Sequence, residues 1–216
     1  TNKIEINSRV IDEELNLNVR DIGHAEFEYR KKMEVLNEKD PSLFYFFETS
    51  DRFRKLSDIT ITVFDSSGTK EVKTYTIQDI NEVMVHEGLV AEGKTLYFAI
   101  PHNQFPFVYE IRYTRKYNGL PNFPTYYFVN VNQYVEHSSY QITVPENLDI
   151  RYKAYSIDLP PTRSIDHGKI TYRWELQHVQ PIQHEQGTAS YSRLLPRVEI
   201  SPMKFKYGQY EGSMES

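Results

Sequence analysis

The sequence predicts an all-β protein, an antiparallel β-sandwich of two sheets or a large supersandwich-like variant of it, with little helix. Three observations carry this. Apolar and polar residues alternate at period two in segment after segment, the pattern of half-buried strands. About ten such short runs recur along the chain between turn residues, and no long 3.6-residue stripe interrupts them. The chain also uses 17 Tyr and 12 Phe against 1 Trp, and aromatic rings favour strands.

The clearest element runs from His24 to Val35. Its odd positions read Ala25, Phe27, Tyr29, Lys31, Met33 and Val35, and its even positions are all polar. Lys31 is the single lapse, so one face is dry and the other wet. Ser50 to Leu56 is a candidate for a helical turn or two, with Ser50 or Asp51 as cap. Ile59, Ile61 and Val63 then alternate into Asp65-Ser66-Ser67-Gly68-Thr69, where glycine suits a positive φ, and Lys70 to Ile77 returns. Residues 59–77 therefore read as a hairpin.

Phe107, Tyr109, Ile111 and Tyr113 share a face of the next strand. Tyr140, Ile142 and Val144 lead into Pro145, which cannot donate to a central ladder and marks a strand end. Ile150, Tyr152 and Ala154 alternate again, and Ile170, Tyr172, Trp174 and Leu176 follow the Asp166-His167-Gly168 turn. With these face-mates, Trp174 reads as core. The Pro-containing stretches 119–124 and 159–162 read as loops, and neither is long enough to mark a domain boundary. Residues 1–200 are expected to form one domain, with 201–216 as an exit segment.

Composition excludes several functions. With 25 basic and 30 acidic residues the net charge is −5, whereas nucleic-acid binders carry a basic excess to neutralise phosphates. The runs Arg30-Lys31-Lys32 and Arg115-Lys116 read as solvated strand faces. No segment approaches the roughly 20 apolar residues of a membrane helix. The chain has no cysteine, which removes disulfides, cysteine-ligated metals and thiolate nucleophiles.

Catalytic and metal patterns find little support. Seven histidines are present, but none stands in the spacing that sets two ligands on one helical face. Gly187-Thr188-Ala189-Ser190-Tyr191 only grazes a nucleophile elbow, and Gly68-Thr69-Lys70 lacks the upstream glycine of a phosphate loop. No catalytic residue, metal or cofactor is therefore assigned. Aromatic runs at 44–47, 105–107 and 125–128 put rings on both faces of extended segments, which suits either two-sided burial or stacking on a peptide or sugar. The binding candidates are Tyr126 and Tyr127, with Phe205, Tyr207 and Tyr210 in the exit segment.

The segments Val63–Val72, Phe105–Ile111, Val135–Tyr140, Tyr172-Arg173-Trp174-Glu175 and Pro196–Gly212, in that order, resemble a bacterial domain family of unknown function. That family precedes transglutaminase-like domains, which are papain-type cysteine hydrolases. The resemblance implies a β-sandwich, export to the periplasm, cell envelope or outside, and a hydrolase domain downstream in the same polypeptide. It supplies no functional residues to carry over. The function expected from it is a non-catalytic N-terminal accessory module that positions or binds substrate for the adjoining domain. The alternative is an independent carbohydrate- or peptide-binding module.

Overall fold

In a computed structural model, the period-two segments become strands of one eight-stranded sheet and three smaller ones. The structure describes residues 4–87, 91–119, 123–148, 150–183, 195–207 and 210–213, with the backbone alone at 85–87, 91–92, 205–207 and 210. The large sheet has the order β12 (Thr162–Asp166), β13 (Lys169–Val179), β10 (Gln133–Pro145), β1 (Ser8–Asp21), β2 (His24–Val35), β8 (Phe107–Asn118), β4 (Arg54–Phe64), β5 (Glu71–Thr76). One small sheet is β3 (Tyr45–Asp51), β7 (Ala91–Ala99), β6 (Asn81–Glu87), and another is β11 (Ile150–Tyr155), β14 (Arg197–Pro202), β9 (Tyr126–Tyr127). Helix is limited to 3₁₀ turns at Pro41–Phe44 and Ile77–Asp79 among the described residues.

The strand read over 24–35 is present with those bounds, and the 59–77 hairpin is β4–β5. Its turn places Gly68 at φ +71°, with Gly68 N–H donating to the Asp65 carbonyl at 2.9 Å. One reading needs correction. Ser50–Leu56 is a β corner, not a helical turn. Asp51 Oδ1 accepts from the N–H groups of Phe53 and Arg54, both at 2.8 Å, so the cap-like side chain closes a turn between β3 and β4. The expected all-β, sandwich-like architecture of antiparallel strands is present, and within it one pairing of the large sheet, β1 with β10, is parallel.

One row of residues explains the layering. Tyr113, Tyr29, Leu15, Tyr140 and Trp174 stand opposite one another in register across β8, β2, β1, β10 and β13. They therefore share a face of the large sheet. Phe46 of β3 meets the Tyr113 end, with ring centroids 6.3 Å apart. Tyr126 of β9 meets Tyr140 at 5.4 Å, and Tyr152 of β11 meets Trp174 at 5.4 Å. Both small sheets thus pack on the same face, at opposite ends of the row. Trp174 is 1% exposed, in the core as its face-mates implied.

A bulge at Ile11 sets which residues face that layer. Val10 pairs with Met33, but Asp12 pairs with Lys32, so β1 switches its inward residues from Ser8 and Val10 to Glu13, Leu15, Leu17 and Val19. The switch turns Glu13 into the interior and Asp12 outward. In the segment read as an exit, β14 continues through Pro202, and β15 (Lys204–Tyr207) pairs with β16 (Tyr210–Ser213).

Candidate functional site

The two small sheets do not meet over the middle of the large one, and the gap between them is an open cleft of about 390 Å³. Its floor is the inner face of β1, β2 and β8: Glu13 and Leu15, then Phe27, Tyr29 and Lys31, then Ile111, Tyr113 and Arg115. One wall is Tyr45, Phe46, Phe47 and Glu48 of β3, and the other is Pro124, Thr125, Tyr126 and Tyr127. Asn130 and Gln133 also line it.

The floor carries two polar centres joined by stacked rings. Glu13 accepts from Tyr29 Oη at 3.0 Å and from Ser138 Oγ at 2.9 Å, and Lys31 Nζ lies 3.3 Å from Oε1. Ser138 in turn accepts from Tyr126 Oη at 2.6 Å. Glu48 accepts from Tyr113 Oη at 2.9 Å and pairs with Arg115. The Tyr29 and Tyr113 rings stack with centroids 5.0 Å apart. Each tyrosine places an apolar ring in the floor and aims its hydroxyl at a carboxylate.

These environments keep the tyrosines of the site protonated. Burial pushes Tyr29 well above the ordinary tyrosine range, and the Glu13 carboxylate adds to it. Tyr113 rises through burial and then through Glu48, and Tyr126 through burial against the opposing Ser138 contact. Burial disfavours the Arg115 charge, but Glu48 together with Tyr113 and Tyr117 outweighs it, and the net effect raises its pKa. The tyrosines are therefore neutral donors, and the charges cancel as Glu13 with Lys31 and Glu48 with Arg115. The arrangement can hold a ligand by stacking and hydrogen bonding.

The structure separates the residues proposed from sequence. Tyr127 is 40% exposed on the cleft wall. Tyr126 is corrected: it is 1% exposed, its ring packed on Phe128 and Tyr140, so it supports the wall from behind instead of offering a free ring. Phe205, Tyr207 and Tyr210 lie in the β15–β16 hairpin, with Tyr207 opposite Tyr210, and their side chains fall outside the described residues. The sequence reading missed Glu13, Glu48 and Arg115 as cleft residues. Lys31 was visible as the one break in the apolar face of β2. Among the described residues no group of three His, Cys, Asp or Glu could hold a metal, and no helix is long and apolar enough to cross a membrane.

The model of a domain family of unknown function with a solved structure, DUF3857, matches residues 21–183. The chain belongs to the DUF3857 family. The match takes in the floor strands β2 and β8, the wall strands β3 and β9, and all of β10 and β13. A DUF3857 fold of this kind is similar to part of a crystal structure of a candidate protease from Parabacteroides distasonis. The identity is 14% and the TM-score 0.75, over 90% of this chain and 40% of that one. An M1 zinc metallopeptidase from Deinococcus radiodurans is similar over 96% of this chain and 46% of that chain, at 11% identity and a TM-score of 0.43. The chain thus spans less than half the length of either protein. No curated protein matches the sequence.

Proposed function

We propose that this DUF3857 domain is a non-catalytic module of an exported bacterial protein, standing in front of a transglutaminase-like hydrolase domain and holding substrate for it in the cleft. The observation that carries the reading is the mutual pairing of the floor. Glu13 and Glu48 are held by tyrosines and by their own cations, so neither floor carboxylate is a free base for a neighbouring nucleophile. The absence of cysteine from all 216 residues supports assigning any thiolate chemistry to another domain. The recurrence of the fold as 40% of a longer chain is consistent with a module within a larger protein. The resemblance to modules that precede transglutaminase-like domains is what supports proposing a downstream partner and a location in the periplasm or cell envelope.

The exposed rim favours a binding role over a purely structural one. Tyr45 and Phe47 on one wall are 55% and 65% exposed, and Tyr127 on the other is 40% exposed, more apolar ring than an idle strand edge ordinarily shows. The test uses the full natural polypeptide. Phe47→Ser and Tyr127→Ser are expected to raise KM for a polymeric substrate and to leave turnover of a small reporter unchanged. A polypeptide without a hydrolase domain overturns the reading. So does turnover by the purified 216-residue chain that one substitution within it abolishes.

A further inference from the structure

The cleft walls are strand edges. β3 pairs with β7 alone and β9 with β14 alone among the described strands, so each has a second side outside any described ladder. Both walls are built from consecutive residues, Tyr45 to Glu48 and Pro124 to Tyr127. Side chains alternate across a strand, so a wall containing both parities is an edge seen end-on, not a face. Such an edge presents a row of main-chain N–H and C=O groups. The second layer therefore reads β6-β7-β3, gap, β9-β14-β11.

We propose that an extended polypeptide segment docks in this cleft as an added strand, between the edges of β3 and β9 that no other described strand pairs, and joins the two small sheets into one layer over β1, β2 and β8. The proposal rests on the cleft being the binding surface and goes further by naming the ligand class. Each floor strand is already paired on both sides, so the floor meets a ligand through side chains and the walls meet it through backbone. That division of labour is the recognition mode of strand addition, in which main-chain bonds give affinity and pockets read alternate side chains.

The chemistry of the walls separates this site from the other edges. Natural edges are protected against added strands by charge or proline. The outer edge β5 carries Glu71 and Lys73, and β12 carries Arg163 and Asp166. In the cleft-lining parts of β3 and β9, Tyr45 to Glu48 and Tyr126-Tyr127, the one charge is Glu48, which is turned to the floor and held there by Arg115 and Tyr113. The floor carries balanced ion pairs, so inward side chains of the ligand are uncharged, aromatic or small and polar. A glycan would use the rings, but its hydroxyls do not repeat at the spacing of a strand's N–H and C=O groups and so do not match the two edges as a ladder does.

The test screens the folded chain against a random library of peptides about ten residues long, the upper end of ordinary strand length. Hydrogen exchange then follows the tightest binder. Binding is expected to slow exchange of backbone amides in β3 and β9. N-methylation of alternate residues in that peptide is expected to weaken binding about tenfold or more on one of the two parities, since each lost main-chain bond counts. Phe47→Ser is expected to weaken it as well. The proposal is overturned if no peptide binds, if N-methylation on either parity is without effect, or if protection appears only at β5, β6 or β12. It is also overturned if neutral oligosaccharides, and no peptide, protect the cleft. In that last case, or if rim substitutions impair the full polypeptide while no peptide binds, the cleft remains the substrate surface and only its ligand class changes.

Discussion

Lys31 on β2 stands directly across the ladder from Glu13 on β1, with Nζ 3.3 Å from Oε1, on a face otherwise given to the core. Glu13 is 8% exposed and also receives Tyr29 and Ser138. Removing one partner of a nearly buried pair leaves the other charge in a poor solvent. Lys31→Met is therefore expected to cost about 3 kcal/mol, the lower end for such losses, because the cleft is open to water. Adding Glu13→Gln removes the stranded charge and keeps an acceptor for Tyr29. The double variant is expected to return to within about 1 kcal/mol of the parent. Urea unfolding of the three proteins checks this, and a double variant no more stable than the single would refute it.

The outer face of the same strands predicts a pH dependence. His137 Nδ1 lies 2.6 Å from Asp12 Oδ1, and Nε2 lies 3.0 Å from Glu175 Oε1. The Asp12 hydrogen bond raises the imidazole pKa most, partial burial opposes it, and Glu175 adds to the rise. A pKa raised on folding adds stability that is complete below the unfolded value, about 6.5, and is lost as pH rises through the folded value. Stability is thus expected to fall as pH rises from about 6.5. His137→Gln flattens that part of the profile. Chemical denaturation across pH, with NMR titration of the ring, measures both, and an unchanged slope in the variant would exclude His137 as its source.

How far the sequence revealed this structure depended on whether the signal was local. β2 was legible because twelve residues keep one parity, and the 59–77 hairpin because Gly68 marks its turn. β1 was hidden, although it is the longest strand at 14 residues, because the Ile11 bulge reverses its parity beside the acidic run Asp12-Glu13-Glu14. Lys31 signalled an interruption in the core face, but its partner lies on that hidden strand. The cleft itself was illegible. Its walls are β3 and a two-residue β9, brought together by pairings with β7 and β14 that no local period encodes. Tyr126 and Tyr127 looked equivalent for the same reason.

Two glycines at positive φ separate backbone strain from steric crowding. Gly68 has φ +71° and Gly168 has φ +73°. A Cβ on Gly68 would lie 3.2 Å from Val108 Cγ2, whereas one on Gly168 would meet nothing within 4 Å. Both alanine variants incur the left-handed penalty of roughly 1–2 kcal/mol. Gly68→Ala also crowds a buried valine and is expected to be the more destabilising of the pair. Thermal or urea unfolding ranks them, and equal losses would mean that Val108 yields without cost.

Adjacent tyrosines on the cleft wall provide the sharpest division between support and contact. Tyr126 is 1% exposed, edge-on to Phe128 at 4.6 Å and bonded to Ser138, which itself donates to Glu13. Tyr127 is 40% exposed and faces the cleft opening. Tyr126→Ala opens a cavity in the core and is expected to cost about 3–5 kcal/mol. Tyr126→Phe keeps the ring but leaves Ser138 without its donor, at about 1 kcal/mol. Tyr127→Ala is expected to change stability by no more than about 0.5 kcal/mol, as surface substitutions do, while weakening whatever the cleft binds. Unfolding curves measure the first two effects, and peptide affinity measures the last. A Tyr127→Ala protein that loses stability like Tyr126→Ala would make the wall a single packed unit, with neither ring free to meet a ligand.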